Sequence, residues 1–149
     1  GFLALESGVA AGAEMIIIPE NRKNLNDVIN DIKKINEEKK SIIIIYAEGC
    51  KLGPLNKVSK KIKNAIPGSN VRYSILGHIQ RGGTAVPSDR ILATVLGNKS
   101  IESLLNGEKN KMIGLINDKC CLTNFDEIIN NNRGINEELY QIAKTISNY

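Results

Sequence analysis

Apolar and polar positions along this chain follow two rhythms, and their order suggests a fold before any single residue is weighed. Between Asn24 and Lys39 the apolar residues Leu25, Val28, Ile29, Ile32 and Ile35 recur at helical spacing, with Asp, Lys and Glu on the other face. This spacing predicts an amphipathic helix. Ser41 to Ala47 is instead continuously apolar and rich in Ile, too short for a helix of its own, and reads as a strand buried on both faces. Upstream, Phe2, Leu3, Leu5, Val9 and Ala10 suit a tightly packed helix ending near Gly12, followed by a strand from Met15 to Ile18 that Pro19 closes. Gly53-Pro54 opens a second amphipathic helix through Leu55, Val58, Ile62 and Ile66, which Pro67-Gly68 stops, and Val71 to Leu76 reads as a third strand. Strand, helix, strand, helix, strand predicts a parallel sheet, because each crossover helix must cover a face of it. The expected class is α/β.

Beyond Gly82-Gly83, a helix is expected from Pro87-Ser88-Asp89 through Ile91, Leu92, Val95 and Leu96, and another is marked by Ile101, Leu104 and Leu105. Short strands near Met112 to Ile116 and Cys120 to Leu122 follow. Asn124 and Glu127 form a candidate capping pair for a helix through Ile128 and Ile129, and a last helix covers about Asn136 to Ile146. No internal repeat is evident.

Composition narrows the class of function more than it names one. The 149 residues suffice for one compact domain or one lobe of a larger enzyme, and with no Trp and two Phe the core must be aliphatic. The charge of +4 comes from lysines read as scattered among acids, a pattern that favours small anions over nucleic acid. Three cysteines, Cys50, Cys120 and Cys121, give neither a disulfide framework nor a spaced metal set, which suits a reducing, cytoplasmic setting. The longest apolar run, Ile42 to Ala47, is far below the ~20 residues that span a bilayer, so no membrane role is expected. The chain begins at Gly1 inside an apolar helical pattern, and an upstream portion is expected.

Candidate chemistry centres on Gly77-His78-Ile79-Gln80-Arg81-Gly82-Gly83. His78, the one histidine, stands between an apparent buried strand and a double glycine, where open α/β sheets receive ligands. A lone His is most often structural, but Arg72 falls on the same face of the expected strand and Arg81 follows in the loop, so three potential cations are read as converging on one strand end. Arginine forks suit phosphate, and the glycines let backbone approach it. Glu48, followed by Gly49 at the end of another expected strand, could accept hydrogen bonds from sugar hydroxyls. Taken alone, Lys39 and Lys40 read as a solvated helix end, Glu14 as a surface acid, and the cysteines as buried strand or loop residues without thiol chemistry.

The Gly77 to Gly83 segment, followed by Asp89-Arg90-Ile91-Leu92-Ala93, resembles the signature region of bacterial-type 6-phosphofructokinases. The resemblance covers essentially the whole chain, through Gly1-Phe2-Leu3-Ala4-Leu5, Gly12-Ala13-Glu14, Ile18-Pro19-Glu20 and Ile45-Tyr46-Ala47-Glu48-Gly49. It implies that His78 and Arg72 hold the 6-phosphate of fructose 6-phosphate, Arg72 across a subunit interface, while Glu48 and Arg81 contact the sugar. It further implies a homotetramer whose effector positions, for ADP or phosphoenolpyruvate, match Gly12, Glu14, Lys39 and Lys40, with Glu14 a candidate ligand of an effector-site magnesium ion. Glu37 stands where many bacterial members carry a further basic residue, a departure that bears on effector binding.

The family's Gly-rich ATP loop and its Thr-Ile-Asp-Asn-Asp segment, which supplies the catalytic base and helps hold Mg2+, have no counterpart in these residues. The resemblance therefore implies the carboxyl-terminal, sugar-phosphate-binding part of an ATP-dependent enzyme, inactive alone because phosphoryl transfer needs the nucleotide and metal site. A pyrophosphate-dependent enzyme and a non-catalytic sugar-phosphate-binding module are the alternatives. The implied architecture is an incomplete three-layer parallel-sheet lobe. Residues 1–80 would form the substrate and effector lobe, 81–127 a crossover segment packing with a nucleotide-binding domain, and 128–149 a helix returning to the lobe.

Overall fold

Chain order in the structure, a computed structural model describing residues 1–21, 23–131 and 134–147, follows the predicted alternation closely at first. Helix α1 (Phe2–Ala10) leads to strand β1 (Met15–Ile17), helix α2 (Leu25–Glu38), strand β2 (Ile44–Tyr46) and helix α3 (Leu55–Ala65). A 3-10 turn (Gly77–Arg81), helix α4 (Pro87–Leu105), strands β3 (Lys111–Ile116) and β4 (Lys119–Asn124) and helices α5 (Phe125–Asn130) and α6 (Glu137–Ser147) complete it. The chain divides into two compact units, Gly1–Ser74 with Gly134–Tyr149, and Ile75–Arg133.

In the first unit β1 and β2 pair in parallel, Met15 opposite Ile44 and Ile17 opposite Tyr46. The period of two then sorts β1 into two cores. Met15 and Ile17 pack with Val28, Ile32 and Ile35 of α2 and Val58 and Ile62 of α3. Ile16 and the following Ile18 pack with Leu5 of α1 and Tyr140 and Ala143 of α6. Each aliphatic side chain fully removed from water contributes about 2 kcal/mol, so these two clusters are the main stabilising term of the unit. Helix α2 starts where Asn24 accepts the Asp27 N–H at 3.0 Å and ends at Lys39, as its periodicity predicts.

Two expectations for this unit are corrected. Strand β2 is half-buried, with Ile43 just before it exposed, because among the described residues its only strand partner is β1 and the other edge carries none. Val71 to Leu76 is not a strand: it has no ladder partner among the described residues, and Tyr73, Ile75 and Leu76 are exposed. A strand exists only with a neighbour to share its hydrogen bonds, which apolar composition does not guarantee. The parallel sheet of the described residues therefore has two strands, not three.

In the second unit the two helices expected after Gly83 are one helix of 19 residues, α4. Pro87 occupies its first turn and the Asp89 carboxylate accepts the Val86 N–H at 3.1 Å. Gly97 costs helix stability but does not break it, and side-chain bonds from Asn98 (2.8 Å) and Lys99 (3.2 Å) to Glu102 carry the helix across that point. Strands β3 and β4 form an antiparallel hairpin closed by Asn117 and Asp118, both at positive φ (50° and 60°), the geometry of a two-residue hairpin turn. At the start of α5, Asn124 donates to the Glu127 carboxylate at 2.8 Å and caps no backbone N–H with its side chain, contrary to the capping pair expected there.

Candidate functional site

The residues singled out in the first unit separate into two groups by strand end. Glu14 immediately precedes β1 and Lys39 caps α2, and the two meet: Lys39 Nζ donates to Glu14 Oε1 at 3.4 Å, and the Ile43 N–H donates to Glu14 Oε2 at 2.7 Å. Gly12, at φ 66°, turns the chain from α1 toward Glu14. These residues, with Lys40, mark the amino end of the parallel pair. The backbone N–H of Ile43, with Lys39 second, holds the Glu14 carboxyl below its ordinary pKa, against the opposing effect of burial.

Glu48 lies at the other end, two residues past β2 and exposed. Three residues of strand separate these ends by roughly 10 Å. In open α/β sheets ligands gather at the carboxyl edge, where Glu48 is. Tyr46 anchors this edge by donating its hydroxyl to the Gly53 carbonyl at 2.8 Å, and burial pushes its pKa up.

Arg72, beyond α3, lines a cavity of about 550 Å³ together with Lys40, Ser41 and Tyr46. The expected convergence of Arg72 with His78 rested on a shared strand, and no strand is present. Even fully extended, the six residue steps between them span up to about 20 Å, so a shared strand face never meant a shared strand end.

In the second unit His78 and Arg81 sit on the 3-10 turn, and every residue from Gly77 to Gly83 is exposed. Gly77 (φ 55°) and Gly82 (φ 113°) bracket the turn in the left-handed region, where a side chain would be strained, so both glycines are demanded by the backbone. The turn displays an imidazole and a guanidinium three residues apart, each next to a glycine with nothing within 4 Å of an added Cβ. Such a display suits a phosphorylated ligand approached by both side chains and backbone.

Charge is less evenly mixed than the sequence reading held. From Gly49 to Ser88 there is no Asp or Glu, while Lys51, Lys57, Lys60, Lys61, Lys63, Arg72 and Arg81 are all basic. The whole chain is only +4, so this stretch of +7 leaves the remainder at −3. A running count of acids would have found it, and it strengthens the case for an anionic ligand.

Among the described residues no group of three or more His, Cys, Asp or Glu is placed to hold a metal ion. Each Glu14 oxygen accepts one hydrogen bond, Oε1 from Lys39 Nζ and Oε2 from the Ile43 N–H. Cys50 donates to the Ile17 carbonyl at 3.4 Å and burial raises its pKa, in keeping with a structural thiol. No helix of the described residues is long and apolar enough to cross a membrane.

The sequence pattern of the Phosphofructokinase family matches residues 1–104. An ATP-dependent 6-phosphofructokinase of Cytophaga hutchinsonii is 40% identical over 148 residues, 99% of this chain and 45% of that protein. The enzyme of the same name from Caldanaerobacter subterraneus subsp. tengcongensis is 37% identical over 148 residues, covering 46% of its length, and one from Staphylococcus epidermidis is 40% identical over 151 residues, covering 45%. The chain thus spans about half the length of the curated relatives it matches, and it belongs to the phosphofructokinase family.

Proposed function

We propose that this chain is the sugar-phosphate-recognising part of an ATP-dependent 6-phosphofructokinase. The complete reaction moves the γ-phosphoryl group of ATP to the 1-hydroxyl of fructose 6-phosphate, giving ADP and fructose 1,6-bisphosphate. The observation that carries this reading is the exposed, glycine-bracketed turn bearing His78 and Arg81, in a chain with 36–40% identity to proteins named for that activity. ATP is favoured over pyrophosphate because the relatives are named ATP-dependent.

In this reading His78 and Arg72 bind the 6-phosphate and Glu48 and Arg81 the sugar, so that the far hydroxyl is presented for in-line attack. Arg72 would serve the substrate of a neighbouring subunit in a homotetramer. Gly12, Glu14, Lys39 and Lys40 would face an effector such as ADP or phosphoenolpyruvate. Magnesium would accompany ATP. A three-layer lobe in residues 1–80, a crossover in 81–127 that packs with a nucleotide-binding domain, and a returning helix in 128–149 complete the proposal, with a cytoplasmic location. The exposed apolar residues of α4 are in keeping with that crossover.

The test is a chimera in which this chain replaces the matching stretch of the Cytophaga hutchinsonii enzyme. It should phosphorylate fructose 6-phosphate with ATP, and His78→Ala should raise KM for the sugar phosphate at least tenfold, about 1.4 kcal/mol of binding. An inactive but folded chimera, or an unchanged KM, overturns the assignment.

A further inference from the structure

Asn106-Gly107 is the one Asn-Gly pair in the chain, and the fold sets it at the carboxyl end of α4. Asn106 caps the helix at φ −80° and ψ 4°, Gly107 follows at φ 80°, and both residues are exposed. Two backbone bonds close the helix there. The Gly107 N–H donates to the Leu104 carbonyl at 3.0 Å, and the Glu108 N–H donates to the Ser103 carbonyl at 3.0 Å. This paired closure depends on a residue that accepts the left-handed region, which is why glycine stands at 107. The same glycine leaves a chemical weakness. It has no side chain to shield its amide nitrogen from the neighbouring Asn106 carboxamide, and a Cβ built on it would meet nothing within 4 Å.

We propose that Asn106 is a site of spontaneous deamidation whose rate is set by opening of the carboxyl end of α4. The Gly107 amide nitrogen loses its proton to solvent and attacks Asn106 Cγ. The N–Cγ bond forms, the Cγ–Nδ2 bond breaks, and the departing nitrogen takes up a proton and leaves as ammonia, giving a five-membered succinimide. Water then opens the ring at either carbonyl, yielding aspartate or isoaspartate. The closed helix end blocks this step twice. The proton to be lost is held by the Leu104 carbonyl, and at ψ 4° the Gly107 nitrogen eclipses the Asn106 amide nitrogen instead of Cβ, where the ring requires it. Both blocks lift together when the last turn frays, so the rate follows the population of the open end. The product cannot reclose as well. A carboxylate at 106 is disfavoured by the helix dipole and lies two residues from Glu108, and isoaspartate also lengthens the backbone and breaks the spacing of the two closing bonds. None of the residues assigned to sugar phosphate or effector takes part, so the site stands whether or not that assignment does.

The test incubates the whole chain at mildly alkaline pH, folded and in urea, and follows Asn106 by peptide mass spectrometry with the other asparagines as internal controls. In urea Asn106 should convert faster than any other asparagine. In the folded chain it should convert roughly tenfold or more slowly than in urea, the weight of two ordinary hydrogen bonds. Leu105→Gly loosens the last turn at a residue that is 82% exposed, and should speed conversion of the folded chain about fivefold while leaving the urea rate unchanged. Equal rates in the folded chain and in urea overturn the proposal, as does another asparagine outrunning Asn106 in urea or a folded Leu105→Gly chain converting at the wild-type rate. Amide hydrogen exchange at Gly107 in the wild-type chain measures the same opening, and it decides the matter if Leu105→Gly does not fold. Its protection should match the slowing of Asn106, and an unprotected Gly107 amide overturns the proposal.

Discussion

The carboxylate of Glu14 accepts the backbone N–H of Ile43 at 2.7 Å, and this one bond joins the residue that precedes β1 to the residue that precedes β2. It satisfies a donor at the amino end of a sheet that the described residues build from two strands only. A charge-assisted bond of this kind is stronger than a neutral one. The resemblance-based assignment of Glu14 to an effector site therefore has a structural competitor in the same side chain.

A pH dependence follows. The Glu14 pKa is lowered in the folded chain, chiefly by the Ile43 N–H, so its contribution is present above the ordinary carboxyl value of 4.5 and is lost as pH falls through the lower folded value. Glu14→Ala should cost about 1.5 kcal/mol at pH 7 and progressively less as the pH falls below 4.5. Urea unfolding of both proteins at several pH values reads the difference, and a cost independent of pH would remove the ionised bond from the account.

Gly8 of α1 is buried against β1, and a Cβ there would come within 2.6 Å of Ile16 Cδ1 and 2.7 Å of Ile16 Cγ1. Ile16 is only 2% exposed and has little room to yield. Gly8→Val should destabilise by about 2 kcal/mol through overpacking, and adding Ile16→Ala should recover part of the loss. Thermal unfolding of the single and double variants checks this, and strict additivity would show that the two residues do not share the contact.

Cys50 should be slow to alkylate. Burial raises its pKa above the ordinary 9.0, so its reactive thiolate is scarce near neutral pH and its labelling rate should climb with pH beyond that of a free cysteine. Iodoacetamide labelling followed peptide by peptide measures it. A rate at pH 7 equal to free cysteine would contradict the buried setting.

Helix α4 is apolar on several sides, with Leu104 71% and Leu105 82% exposed. Contiguous apolar surface of this kind drives association. Leu104→Lys with Leu105→Lys should lower concentration-dependent self-association in sedimentation velocity with less than about 0.5 kcal/mol change in stability, as is usual for surface substitutions. Unchanged association would mean that other surfaces carry it.

Much of this was legible in the residues. Helix α2 announced itself through Leu25, Val28, Ile32 and Ile35, and its bounds fell between Asn24 and Lys39 as the spacing suggested. The Gly77 to Gly83 segment was visible as a ligand-facing strand end, whereas its 3-10 turn between positive-φ Gly77 and Gly82 came from the structure. What failed was inference from apolar composition to pairing. Val71 to Leu76 has the composition of a strand but lacks a ladder partner, and Ile43 is exposed in a run that reads as fully buried.

The sequence by itself determined the helices of the first unit, the α/β alternation and the aliphatic core, because these depend on periodicity and composition. Tertiary structure alone decided that Glu14 and Lys39 lie at one end of the parallel pair and Glu48 at the other, and that Arg72 shares a cavity with Lys40. The reason is directional. A period of two or 3.6 assigns a residue to a face, whereas its position along the sheet depends on where each crossover helix returns the chain, and that is fixed only by packing across the core.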